Sequence, residues 1–248
     1  MEFINQIRNS QRLDKWEIRP IEVALFLCLI LAFAYAATGL LAGAYAYFSG
    51  RETDIESLPF LIVSGFGFQF GCVIAWIAFR VIVPYENRIQ ADPFSRSLLV
   101  GIIGFVIVYL AIIPTMLIWK SALEALNFEY EVQLPVQLVQ NGGTFLEMTF
   151  MSLLVVVAAP ISEELVYRGF IFRYLNNRLP SAFAISITAA LFALMHQNLY
   201  SFAPLFVLGA ALCVVYRMTG NIVSSIAMHA CFNLLNLVLM TYFGPLEA

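Results

Sequence analysis

The stretch Met148-Thr-Phe-Met-Ser-Leu-Leu-Val-Val-Val-Ala-Ala-Pro160-Ile-Ser-Glu163-Glu164-Leu-Val-Tyr-Arg168-Gly169 decides how this chain is read. A run without any charge, Met148 to Pro160, leads straight into two adjacent acids. An ionised carboxylate in hydrocarbon costs at least ~2.5–3.5 kcal/mol on insertion scales, so acids at such a place need a partner or a task. Pro160 reads as the start of a helix, because proline is tolerated in a first turn and breaks a helix from inside. A helix beginning there places Ser162, Glu163 and Glu164 in its first turn, at the positive end of its dipole. Arg168 follows Glu164 by four residues and can pair with it along one face. Glu163 is turned about 100° away and faces something else.

Composition sets the class. The chain has 248 residues, 61% hydrophobic and 12% charged, against roughly 25% charged in soluble domains. The reading is an all-α polytopic membrane bundle, whose solvent is the lipid bilayer. The net charge of −3 carries little information, and nothing supports nucleic-acid binding. Cys28, Cys72, Cys213 and Cys231 fall in apolar runs without CxxC spacing, which suits small buried hydrophobes better than disulfides or metal ligands. No cleavable signal peptide is expected, because the first twenty residues are polar and the apolar run after them is too long.

Hydropathy predicts about seven spans. They cover roughly residues 21–48, 58–83, 97–119 (with a kink at Pro114), 144–160, a fifth from about Ser181, 204–216 and 222–242. The helix carrying the acids is expected to continue to around Arg178, and Gln197 to Ser201 reads as a turn at partial membrane depth. Residues 1–20 carry Phe3, Ile4, Ile7, Leu13 and Trp16 at a loose helical period, the pattern of an interfacial helix or a solvated tail. Arg8, Arg12, Lys15, Arg19, Arg80, Arg88, Arg96, Arg168, Arg173, Arg178 and Arg217 assign to one side, leaving Arg51 and Lys120 on the other. The positive-inside rule then makes the N-terminus cytoplasmic in a cell membrane, with acidic connections outside (Glu52, Asp54, Glu56; Glu124, Glu129, Glu131). We read one integrated membrane domain: residues 1–143 as a tail with three variable spans, residues 144–248 as the helices that carry the chemistry.

Those helices hold the only two histidines, in Phe192-Ala-Leu-Met-His196 and His229-Ala-Cys-Phe-Asn233. Residues at i and i+4 share a helix face, so His229 and Asn233 point the same way. If Leu179-Pro180 is a hairpin tip, Glu163 and His196 both lie about 24–26 Å from it and are level. His229 lies about 12 Å above Asn221 along its own helix, so the clusters meet if the tip projects roughly 12 Å beyond the bilayer. A carboxylate, two imidazoles and an amide can activate water and stabilise an oxyanion. Glu163 is then the general base, His196 orients the water or shuttles its proton, and His229 with Asn233 donates to the oxyanion. Glu164 and Arg168 form a supporting ion pair. The same Glu163, His196 and His229 also make a zinc ligand set, although the usual His-Glu-x-x-His helix is absent, and this reading stays open. Glu147 reads as an interfacial acid, Tyr167 as packing and Asn236 as a helix–helix hydrogen-bonding residue.

Glu163-Glu164-x-x-x-Arg168, Phe192-x-x-x-His196 and His229-x-x-x-Asn233 resemble the three motifs of the CPBP intramembrane protease family. That family includes the CAAX prenyl endopeptidases and the bacterial Abi or bacteriocin-processing proteins. The resemblance covers about residues 144–240; the first three spans match no motif. It implies an all-helical membrane fold with a site open to the cytoplasm. It also implies that Glu163 and His196 activate water, and that His229 and Asn233 bind the oxyanion. The family is often labelled metalloprotease, a label that does not decide between a metal and a metal-free glutamate mechanism. The expected activity is cleavage of a peptide bond in a membrane-associated or lipidated substrate, in a prokaryotic plasma membrane. The alternatives are a non-proteolytic immunity or partner-binding protein of the same fold, and a small transporter using these groups as a proton relay.

Overall fold

Backbone groups in hydrocarbon find no water, so each apolar span must satisfy its own N–H and C=O groups, and the helix does this within one segment. The computed structural model describes residue 13 and residues 16–50, 54–84, 91–128 and 142–243; among these there is no strand. Its helices are α1 (Pro20–Ser49), α2 (Leu58–Ile82), α3 (Phe94–Ala125), α4 (Phe145–Leu153), α5 (Ala159–Val166), α6 (Arg173–Asn176), α7 (Ser181–Met195), α8 (Leu199–Thr219) and α9 (Val223–Phe243). Two π-helical turns, Leu154–Ala158 and Tyr167–Phe172, join α4, α5 and α6 into one continuous helical run. Six of the helical runs are long and apolar enough to cross a membrane, and α7 is a shorter apolar helix. The chain is a multi-pass, all-helical membrane protein with about seven apolar helices.

Local chemistry places several helix ends. Pro20 opens α1 while the Arg19 N–H donates to Glu22 Oε2 at 2.7 Å. Glu147, expected as an interfacial acid, closes a reciprocal cap at the start of α4: its Oε2 accepts from Thr144 N and Oγ1, each at 2.7 Å. The sixth span begins at Leu199 rather than Pro204, because Asn198 Oδ1 accepts from Ser201 N at 3.0 Å and starts the helix one turn earlier. At its other end Gly220 takes a left-handed conformation, φ 68°. The third span continues through Pro114.

The chain divides into two compact units. The first comprises Met1–Glu17, Tyr85–Tyr130 and Glu164–Phe232. Its core joins Val108 and Ile112 of α3, Phe192 of α7, Leu208 and Leu212 of α8 and Met228 of α9. Glycines let these helices close up: a Cβ on Gly209 would meet Ala189 Cα at 3.0 Å, and one on Gly101 would meet the Ser224 carbonyl at 2.4 Å. Leu13 and Trp16 are buried here, which corrects the expectation of an interfacial or solvated tail for this part of it. Trp16 meets Phe170 edge-on at 6.3 Å, lies under the Arg173 guanidinium, and its carbonyl accepts from Asn177 Nδ2 at 2.6 Å. Phe3, Ile4 and Ile7 lie outside the described residues.

The second unit comprises Ile18–Pro84, Glu131–Glu163 and Asn233–Ala248. Here α1 packs on α2 along Gly67 and Gly71, where an added Cβ would come within 2.6 Å of Thr38 Cα and 2.4 Å of Ala34 Cα. Such small residues let helix backbones touch where lipid supplies no hydrophobic drive. Leu58 and Ile62 of α2 meet Met151, Leu154 and Leu237 in a second apolar cluster. All four cysteines are free thiols; Cys72 and Cys213 are buried, as expected, whereas Cys28 is exposed.

Candidate active site

Pro160 does not start a helix. The run from Phe145 to Asn176 passes through it, so Glu163 and Glu164 lie mid-helix and the dipole argument for them lapses. The π-helical turn Leu154–Ala158 ends two residues before Pro160, and after it Ala159 N–H bonds the Leu154 carbonyl five residues back. Proline removes a donor and crowds the preceding turn, and widening that turn accommodates both.

In the first unit the expected ion pair forms: Arg168 Nη1 lies 2.8 Å from Glu164 Oε1, and both side chains are 0% exposed. Arg168 Nη2 donates to the Gly209 carbonyl at 3.0 Å, and its guanidinium sits 4.7 Å from the Phe192 ring centre. A buried pair survives only if its remaining hydrogen-bonding capacity is largely met, and planar arginine meets it with several donors. His229 joins the same carboxylate, with Nδ1 2.9 Å from Glu164 Oε1. Both histidines flank one aromatic ring: Phe192 lies 4.8 Å from the His196 ring and 5.5 Å from that of His229. Tyr167 meets Phe192 edge-on at 5.3 Å and belongs to the core, consistent with the packing role.

These contacts set tautomers. His196 Nδ1 lies 2.7 Å from the Phe192 carbonyl, which only accepts, so Nδ1 carries the proton. The same logic gives His229 an Nδ1–H toward the Glu164 carboxylate. Each imidazole is thereby oriented through Nδ1, and its chemistry is carried by Nε2.

The second unit holds Glu163, half-buried, and beside it Ser162, fully buried. Ser162 Oγ donates to Gln69 Oε1 and also lies 3.1 Å from the Ala158 carbonyl and 3.0 Å from that of Ala159. Asn233 Nδ2 donates to the Val155 carbonyl at 2.8 Å. Sequence spacing gives Gln69 no role, although a glutamine inside an apolar span is a visible signal; it places Ser162 only in a first turn and Phe192 only at the head of a spacing.

The structure thus brings Glu164, Arg168, His196 and His229 together around Phe192 in the first unit, while Glu163 and Asn233 belong to the second. No group of three or more His, Cys, Asp or Glu side chains among the described residues is arranged to hold a metal ion. The expected alternative set Glu163, His196 and His229 is not among such groups, and no step is derived through a zinc ion. Arg168 and Arg173, both counted on the cytoplasmic side, are 0% and 4% exposed. Arg8, Arg12, Lys15, Arg51 and Arg88 of that count lie outside the described residues.

Residues 145–235 match the family described as Type II CAAX prenyl endopeptidase Rce1-like. The match bears out, over that part of the chain, the resemblance drawn from the three motifs. Three Lactococcus lactis proteins are similar. UPF0177 protein YbdJ is 35% identical over 81 residues, covering 32% of this chain and 34% of that protein. UPF0177 protein YbdI is 31% identical over 108 residues, covering 41% and 58%. UPF0177 protein YxdF is 32% identical over 79 residues, covering 32% and 43%. The chain thus matches between about a third and three-fifths of the length of these relatives. No solved structure matches it significantly.

Proposed function

We propose that this protein is an intramembrane endopeptidase of a bacterial plasma membrane, cleaving a peptide bond in a membrane-associated, C-terminally lipidated substrate. The observation that carries the reading is the Glu164-linked, Arg168-neutralised orientation of His229 beside His196, within the segment that matches the Rce1-like family. The lactococcal relatives support the bacterial setting.

In this reading a water gives a proton to Glu163, with His196 Nε2 as second acceptor, while its oxygen attacks the scissile carbonyl carbon. His196 suits that role because its Nδ1–H is held by the Phe192 carbonyl, which leaves Nε2 the accepting atom of the neutral ring. His229, bound through Nδ1 to the Glu164 carboxylate, faces the oxyanion with Nε2 and donates to it when that nitrogen carries a proton. Asn233 supplies a second donor to the oxyanion. Collapse of the tetrahedral intermediate breaks the C–N bond, and the proton taken from water leaves with the amine. Arg168 pairs with the Glu164 carboxylate without touching substrate.

The test is cleavage by the purified full-length protein in detergent against farnesylated, acylated and unlipidated peptides of one sequence. The expected result is cleavage of lipidated peptides alone, abolished by Glu163→Ala and by His196→Ala. Activity that survives Glu163→Ala would overturn the assignment. A fully folded wild-type protein that binds these peptides without cutting them would instead identify a partner-binding or immunity protein.

A further inference from the structure

The reading of Asn233 as an oxyanion donor leaves open what holds its side chain in place, and the second unit contains the answer. Along the π-helical turn Leu154–Ala158 the backbone bonds run five residues back, ending with Ala159 N–H on the Leu154 carbonyl. The next bond in that register would run from residue 160 to the Val155 carbonyl. Residue 160 is proline and has no N–H. A carbonyl left without a donor in the bilayer finds no water to replace it. At this position a side chain from a different helix takes over: Asn233 Nδ2, 78 residues away in sequence, donates to the Val155 carbonyl at 2.8 Å.

We propose that Pro160 is a positioning residue for Asn233: by withholding its own N–H it makes the Val155 carbonyl the anchor of the Asn233 amide. This rests on the proposed peptidase reading for its functional consequence, though not for the anchor itself. The anchor is an acceptor only, so the atom facing it must be the amide nitrogen, and the end-for-end orientation of the amide is settled. Nδ2 carries two N–H groups. With one held by Val155, the second is fixed in the amide plane, about 120° away, for a developing oxyanion to use. An N–H at residue 160 would continue the π-helical register and satisfy Val155 from within its own backbone. It would free the amide to rotate, and preorganisation of the donor would be lost. Proline, π-helical turn and asparagine therefore form one device.

The test compares wild type, Pro160→Ala and Asn233→Ala, each full-length in detergent micelles with asparagine-selective 15N labelling. The Asn233 side-chain signals are assigned by their loss in Asn233→Ala. In wild type one Nδ2 proton is expected to be shifted downfield and protected from exchange, and in Pro160→Ala that protection falls at least tenfold. With a cleavable lipidated peptide, Pro160→Ala is expected to lower kcat about ten- to hundredfold, with KM changed less than twofold. Its melting temperature should not fall, because alanine restores a helix donor where proline had none. Combined with Asn233→Ala, it should add no further loss. Pro160→Ser restores the same N–H and should repeat each result if the alanine variant is poorly produced.

Unchanged protection in Pro160→Ala overturns the anchor. Lost protection with unchanged kcat overturns the positioning role. If the wild type cleaves nothing, the peptidase reading fails while the exchange measurement still decides the anchor.

Discussion

Both units bring helix backbones together at glycines, and the first adds a buried ion pair. The first buries charge and pairs it: one carboxylate oxygen of Glu164 serves both Arg168 and His229, and Arg168 also reaches the Gly209 carbonyl and the face of Phe192. The second brings α1 and α2 into backbone contact at Gly67 and Gly71. The difference follows from the solvent. Lipid is as apolar as leucine, so helix association needs either hydrogen-bonded polar groups or close van der Waals contact. The first device also orients an imidazole, and the second does no chemistry.

The sharpest way to break this contrast lies in two neighbouring carboxylates. Glu163→Ala should reduce kcat/KM on a lipidated peptide by about 10²- to 10⁴-fold while leaving thermal unfolding nearly unchanged, since Glu163 is only half-buried. A comparable loss of melting temperature would make Glu163 a structural residue instead.

Removing the cation from the buried ion pair is next in size. Arg168→Ala leaves the buried Glu164 carboxyl without its cation, which should cost about 3–5 kcal/mol. Thiol labelling on heating, in a variant keeping only the buried Cys213, measures this within the first unit. Labelling at the wild-type temperature would mean that the pair contributes little. In the second unit, Gly71→Val drives side-chain atoms into the Ala34 backbone and should cost about 1–3 kcal/mol. It is read in the same way from the buried Cys72. If each substitution shifts both reporters equally, the two devices stabilise one cooperative structure and the contrast is only local.

The smallest expected effect is Trp119→Phe, which removes the 2.7 Å hydrogen bond to the Leu199 carbonyl in the first unit. About 1 kcal/mol should be lost, as for a typical single hydrogen bond. A larger drop in Cys213 protection would show that this contact, rather than Arg168, dominates there.

Much of this was readable in advance because it repeats at helical spacing. Glu164 and Arg168 sit four residues apart, and so do Phe192 and His196, and His229 and Asn233. A span of twenty apolar residues has one dominant solution in lipid, which made the fold class legible. What the spacing could not carry was Pro160. The same residue that ends a soluble helix is tolerated within a membrane helix, where π-helical turns and neighbouring side chains meet the freed carbonyls. The start of α8 was misplaced for a related reason: Pro204 outweighed the cap at Asn198, although proline can lie within the helix that Asn198 starts.

The sequence alone therefore determined the solvent, the helical class, the two histidines and the local pairing of Glu164 with Arg168, since each depends on composition or on contacts within one turn. Tertiary structure decided which partner each polar group took. His229 found Glu164 across 65 residues, Asn233 found Val155 across 78, and Ser162 found Gln69 across 93. Sequence spacing does not encode these distances, because helix rotation and close approach fix them only once the backbones have packed.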